Sequence, residues 1–246
     1  MNSALKSIAA LLLAAALSPA QAAIQTFTGT DVIYTIDDTF AWYEGLTASV
    51  SGNTLTFSNR EGGAISAQTG YGKSSHASAY FDGHHWMSDN GVYVQAKSGK
   101  AITGFATMLD ATVDGAVKGT SSSISSTKLS DVWGVDLNTN QQALARLGTS
   151  SYASGEKNKL TPLPVLQNNP YQGSFYQATT GKVELGFYSY AGVSTSNALG
   201  NSFASASLNS FGVTTQVAPV PEPETYALMG MGLIGLLAAR RRKLAK

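Results

Sequence analysis

Through the middle of this chain, short runs of Val, Ile, Thr, Tyr and Phe alternate with small or polar residues at a period of two, and Gly, Ser or Asn breaks each run. Period two sends successive side chains to opposite faces of an extended backbone, so each run can bury one face and wet the other. Ala48-Ser49-Val50 and Thr54-Leu55-Thr56-Phe57 flank Ser51-Gly52-Asn53, which reads as a hairpin. Gly91 to Ala96 and Ala101 to Ala106 flank Lys97-Ser98-Gly99-Lys100 in the same manner, and Lys182 to Tyr190 and Phe203 to Val217 repeat the pattern. Strands at this spacing predict an all-β fold, an antiparallel β-sandwich of jelly-roll or Ig-like type. Helix signal is scarce; Asn140 to Leu147 is expected to form a turn or two of helix.

Two stretches read as excursions from that core. Thr120 to Thr127 is polar and serine-rich, which predicts a mobile loop or a weak edge strand. Ser154 to Gly173 carries Pro162, Pro164 and Pro170 among polar residues and predicts a long surface connection. No repeat of about 20 to 50 residues is present, and neither stretch divides the chain into two domains.

Neither end has the same character. Lys6 precedes an apolar run from Ile8 to Leu17, then Ser18-Pro19-Ala20-Gln21-Ala22. About ten apolar residues fall short of the roughly twenty that a bilayer span needs, and Ala20 and Ala22 supply the small side chains of an A-x-A-like cleavage site. Residues 1–22 are therefore expected to be a secretory signal peptide, cut after Ala22 by signal peptidase once the secretion machinery has engaged it.

At the other end, Val220-Pro221-Glu222-Pro223-Glu224-Thr225 leads into an uncharged stretch from Tyr226 to Ala239, followed by Arg240-Arg241-Arg242-Lys243. The prolines fix φ and withhold N–H donors, keeping the segment before the apolar stretch extended and open to a processing enzyme. Residues 226–239 rise about 21 Å as a helix against a hydrocarbon core of about 30 Å. Such a short transmembrane helix becomes workable with Tyr226 at one interface, the arginines snorkelling at the other and the bilayer thinned locally. Arg240, Arg241, Arg242 and Lys243 are read as a membrane stop held on the cytoplasmic side, leaving the body in the periplasm. Gly230-x-Gly232-x-x-Gly235 matches the dinucleotide-binding pattern, but no strand precedes it and no acidic residue follows at the required distance. Small residues of a membrane helix are the reading that fits.

Val220-Pro221-Glu222-Pro223, the short apolar stretch and the terminal arginine cluster together resemble the PEP-CTERM sorting signal of Gram-negative bacteria. The resemblance covers about the last 27 residues. It implies recognition by an exosortase, a polytopic membrane enzyme that cleaves near the triplet, here Pro221, Glu222 and Pro223. It further implies transient anchoring in the inner membrane, export to the cell surface, and association with extracellular polysaccharide, biofilm or floc. Bodies vary widely among proteins that share this tail, so it speaks to destination and leaves activity open.

The ends also distort the charge. Of 16 basic and 15 acidic residues, Lys6 and five tail residues are basic and Glu222 and Glu224 acidic, which leaves the body at about −3. A nucleic-acid partner thereby loses its electrostatic support. The body, residues 23–217, is long enough for one domain with a real core, and residues 218–246 form the sorting tail. With no cysteine in the chain, disulfides, thiolate metal sites and a Cys nucleophile are excluded.

Chemistry-bearing residues cluster once, in Asp82-Gly83-His84-His85-Trp86-Met87-Ser88-Asp89-Asn90. Asp82, His84 and His85 are candidate ligands for zinc or another transition metal, with Asp89 or the more distant His76 completing a set. Adjacent histidines point to opposite faces when extended, and no spaced ligand motif is present, so a polar loop anchored by Trp86 is the adopted reading and no cofactor is expected. Asp37-Asp38, Asp110 with Asp114, and Asp131 with Asp136 are candidate carboxylate pairs for glycoside hydrolysis, against which solvated turns are the adopted reading. No Gly-x-Ser-x-Gly elbow or other nucleophile signature occurs. Trp42, Tyr43, Trp86, Trp133 and several tyrosines offer rings that stack on core neighbours or on sugars. The expected function is that of an exported, non-enzymatic surface or matrix component. The alternatives are a carbohydrate-binding module, if rings line up on one exposed sheet face, and a secreted hydrolase.

Overall fold

A computed structural model of the protein describes residues 24–72, 75–83, 91–164, 170–220 and 228–235. In chain order its strands are β1 (Ile24–Thr28), β2 (Val32–Asp37), β3 (Leu46–Ser51), β4 (Thr54–Asn59), β5 (Ser66–Tyr71), β6 (His76–Gly83), β7 (Val92–Ala96) and β8 (Lys100–Val117). They continue with β9 (Ser123–Asp136), β10 (Gln142–Ser154), β11 (Thr161–Pro162), β12 (Pro170–Tyr171), β13 (Gly173–Thr179), β14 (Lys182–Ser196) and β15 (Phe203–Pro219). All named pairings are antiparallel, in two sheets. The first runs β1-β2-β7-β14-β9-β10-β12, and β6 lies along the other half of the β14 edge that β7 occupies. The second runs β11-β8-β15-β4-β3, where β5 similarly extends the β4 side of β15 and β13 pairs with β8.

The sheets pack face to face because alternate residues of their long strands are apolar. On β14, Val183, Leu185, Phe187, Ala191 and Val193 are buried. Phe187 meets Phe57 at 5.2 Å, Phe57 stacks on Phe211 at 5.2 Å, and Phe211 stacks on Phe81 at 4.2 Å. Those four rings come from both sheets, which makes the body β-sandwich-like. Edge-to-face and offset geometries of this kind add about 0.5–1.5 kcal/mol per pair beyond area burial. Trp42 and Tyr43, in a short 3-10 helix (Ala41–Tyr43), join the same cluster.

Polar residues in the interior pair across strands and between the sheets. Ser130 exchanges hydrogen bonds with Thr107 at 2.8 Å and Ser189 at 3.0 Å, tying β8, β9 and β14 together between the sheets. The buried Tyr34 hydroxyl donates to the carbonyl of Asn53 and meets Thr215 Oγ1, each at 2.7 Å, and so pins β2 of one sheet to β15 of the other.

Several sequence expectations change here. The 48–57 hairpin forms as read, with Gly52 at φ +60° in the first central position of a two-residue turn, the geometry of a type II′ connection. The 91–106 segment is not a hairpin: β7 pairs with β2 and β14, β8 pairs with β15, and Lys97–Lys100 carries the chain from one sheet to the other. Asn140 to Leu147 is not helical, because Gln142 onward pairs with β9 throughout and that pairing overrides local propensity. Thr120 to Thr127 is neither a mobile loop nor an edge strand. From Ser123 it becomes β9, an interior strand between β14 and β10, with Ser122, Ile124 and Ser126 buried at alternate positions. The 154–173 connection is largely exposed where described, and β15 carries the sheet to Pro219, two residues past the expected body boundary.

Candidate functional site

The outer face of the first sheet gathers the aromatic and charged residues that the core leaves over. Because Phe187 and Ser189 point inward on β14, Tyr188 and Tyr190 are on its outer side. Register sets Tyr190 opposite Tyr80 of β6 and Leu129 of β9, Tyr188 opposite Asp131, Gly186 opposite Trp133, and Glu184 opposite Tyr93 of β7. One strand further, Asp131 faces Arg146, Trp133 faces Leu144 and Ser125 faces Tyr152. Tyr80 is 62% exposed and Tyr152 64%, whereas Tyr188, Tyr190, Tyr93 and Trp133 are half-buried.

Local contacts fix the attitude of these groups. A side chain at Gly192 would meet the Tyr190 hydroxyl at 2.0 Å, so the tyrosine ring lies down along the strand over a residue that has none. Lys182 Nζ sits 3.6 Å from the centre of the Tyr93 ring, a cation–π contact. Arg146 Nε and Nη2 donate to the two carboxylate oxygens of Asp131 at 2.7 and 2.6 Å, a fork that raises the arginine's affinity for its proton. Beside that pair, Thr127, Lys128, Leu129, Gly148, Thr149 and Ser150 line an open depression of about 390 Å³. The depression is lined by hydroxyls, a lysine and a leucine, with the ion pair and the rings further along the sheet.

The carboxylate candidates are placed elsewhere and otherwise occupied. Asp37 accepts from the backbone N–H and hydroxyl of Thr39, and Asp38 accepts from Gln25. Asp136 closes the 136–140 turn, accepting from Asn138 N and Thr139 Oγ1. Burial alone would push its carboxyl up, but hydrogen bonds from Thr139, Thr179 and the backbone outweigh that and hold it below the usual range. Asp110, Asp114 and Asp131 lie within strands rather than in the solvated turns expected for them. Asp110 and Asp114 are four positions apart, about 13 Å along a strand, and Asp131 and Asp136 are on opposite faces, about 16 Å apart. Flanking carboxylates of a glycosidase sit about 5–9.5 Å apart, so neither pair meets that geometry.

His84 and His85 lie outside the described residues, and Asp82 is placed by its backbone alone, paired with Tyr188 at the end of β6. His76 opens the same strand, about 20 Å away along it, so the backbone does not bring His76 and Asp82 together. Among the described residues, no three His, Cys, Asp or Glu side chains converge as a metal-holding group.

Beyond the sheet, Val220 N donates to Gly99 O at 2.9 Å, and a helix covers residues 228–235. Leu228, Met229, Met231, Leu233 and Ile234 are all exposed on it. At about 12 Å it spans part of the expected 226–239 stretch, and no helix among the described residues is long and apolar enough to cross a membrane. Gly230, Gly232 and Gly235 fall inside this helix and not at a strand-to-helix turn, which removes the dinucleotide reading. Ala20, Ala22, Pro221, Glu222, Pro223, Arg240, Arg241, Arg242 and Lys243 lie outside the described residues.

Residues 219–243 match the PEP-CTERM protein-sorting motif. No curated protein matches the chain. The motif implies exosortase processing, export and surface localisation, and it opens on Pro219, the last residue of β15.

Proposed function

We propose that this is an exosortase-sorted surface or matrix protein, whose β-sandwich-like body acts without catalysis once the tail has been removed. The observation that carries this reading is the division of the chain at Pro219: every strand among the described residues lies at or before it, and the sorting motif runs on from it. Delivery thus resides in a segment that the sheets do not need. The prediction is that replacing Pro221, Glu222 and Pro223 with alanine yields a longer, membrane-retained precursor. Unchanged mature mass together with unchanged surface delivery would falsify the assignment.

A second reading, carbohydrate binding by the body, is favoured by the ring-bearing outer face around Tyr80, Tyr188, Tyr190 and Trp133. Binding of the tail-less body to a glycan array tests it: saturable binding to a defined polysaccharide supports it, and signal that neither saturates nor responds to Tyr80→Ala leaves the structural role alone.

A further inference from the structure

We infer that the unprocessed protein stands on the membrane end-on, presenting to the lipid headgroups the end of the sandwich built from the turns Gly29–Asp31, Gly52–Asn53 and Lys97–Lys100. The inference rests on the sorting reading above, in which residues 226–239 enter the inner membrane.

The three turns are braced into one platform. Thr30 N donates to Gly52 O at 2.8 Å and Asp31 N to Asn53 Oδ1 at 2.8 Å. Lys97 N donates to Asp31 O at 2.8 Å, and Lys97 Nζ reaches the carbonyls of Gly29 and Thr30. Lys100 Nζ pairs with Asp31 at 3.4 Å. The tail leaves from this same platform, since Pro219 pairs with Lys100 and Val220 N is held by Gly99 O.

Length decides which end is near the bilayer. Six residue steps from Val220 to Tyr226 reach at most about 21 Å, whereas β15, with 17 residues, runs about 55 Å along the sandwich. The opposite end, where Gly119 N donates to Glu156 O and Leu199 N to Lys118 O, lies a full strand length beyond the tether's root. Attachment points the same way: among the described residues of the body the last backbone bond is Val220 N to Gly99 O, so the tether is held at the platform and nowhere else along β15. The platform is also polar, with two lysines to one aspartate, which suits a headgroup layer and not the hydrocarbon beneath it.

Because the chain has no cysteine, single cysteines can report on this geometry. Ser98→Cys on the platform and Ser121→Cys at the far end, both exposed positions, are introduced into the full-length chain with Pro221, Glu222 and Pro223 replaced by alanine. Each is labelled with a fluorophore in membranes containing headgroup-quencher lipids. The expected result is quenching at position 98 several-fold stronger than at 121, and inserting twenty Gly/Ser residues after Val220 should erase that difference. Equal quenching in a membrane-retained precursor means the body lies flat and overturns the inference alone. A precursor that stays soluble overturns the sorting reading, and the inference with it.

Discussion

Arg146 and Asp131 face each other across β9 and β10 as a two-pronged ion pair, with the carboxylate buried and the guanidinium half exposed. Neither residue has a sequence signal of its own, and the carboxylate that reads as half of a catalytic pair is spent on holding two strands. Arg146→Ala strands a buried charge and should cost about 2–3 kcal/mol. Arg146→Lys keeps the charge but loses the fork and should recover only part of that. Urea unfolding of the three proteins checks the order, and an unaltered midpoint for the alanine variant contradicts it.

Tyr34 gives the protein an alkaline limb to its stability. Burial pushes its phenol up to about 12, with hydrogen bonding to Thr215 pulling the other way. Below pH 10 both folded and unfolded chains keep the proton, and the stabilisation is complete. Between pH 10 and about 12 only the unfolded chain loses it, so stability falls as pH rises, by up to about 2–3 kcal/mol. Tyr34→Phe should be less stable at neutral pH, because Thr215 and Asn53 lose a partner, yet show a flatter decline above pH 10.

Asp136 works in the opposite direction. Its folded-state pKa lies below the unfolded value near 3.9, so its contribution is present above about pH 4 and is lost as pH falls through the folded value. Asp136→Asn should lower the melting temperature at pH 7 and reduce the slope of its acid decline. A melting curve at pH 3 to 7 that runs parallel to the parent's would show that the turn does not depend on this charge.

What could be read from the residues was the local pattern, and what could not was the partner of each strand. The 48–57 hairpin was legible because Gly52 alone supplies the positive φ its turn requires. Lys97-Ser98-Gly99-Lys100 has the same turn chemistry, with Gly99 at φ +74°, but joins two sheets, because β7 finds its neighbours at residues 32–36 and 182–184. The serine-rich stretch from Thr120 to Thr127 read as a solvated tract, yet Ser122 and Ser126 are buried once the chain enters β9 between β14 and β10. An aromatic face was foreseeable only as a condition. Its members, Tyr80, Trp133 and Tyr190, are brought together by a register that no local window contains, while Trp42 and Tyr43 went to the core. The sorting motif was legible because its signal is contiguous.

Gly173 opens β13 of the second sheet directly against the backbone of β10 in the first, at Leu144 and Ala145. A Cβ there would lie 2.1 Å from Leu144 O, a backbone atom that cannot swing aside. Gly173→Ala should therefore cost about 1–3 kcal/mol or more, far beyond an ordinary glycine replacement in a strand. Gly148→Ala, whose new methyl meets only Leu129 at 3.5 Å, is the control and should be close to neutral. Thermal melts of the pair separate edge closure from a general intolerance of side chains.

Gly192→Ala tests the outer face without touching the core. The added methyl collides with Tyr190, but with the far end of a mobile ring, so the ring lifts off the strand and the sheet stays as it is. Stability should shift by less than about 1 kcal/mol, since alanine also removes glycine's excess unfolded-state freedom. If the flat-lying ring is a stacking platform for sugar, glycan affinity should fall about tenfold, the equivalent of ~1.4 kcal/mol. Tyr190→Ala should lose a similar amount and Tyr176→Ala, 93% exposed on a different strand and sheet, should lose nothing. Equal losses for Tyr190 and Tyr176 would point to nonspecific adhesion by exposed rings, whereas loss confined to Gly192→Ala and Tyr190→Ala would locate binding on β14.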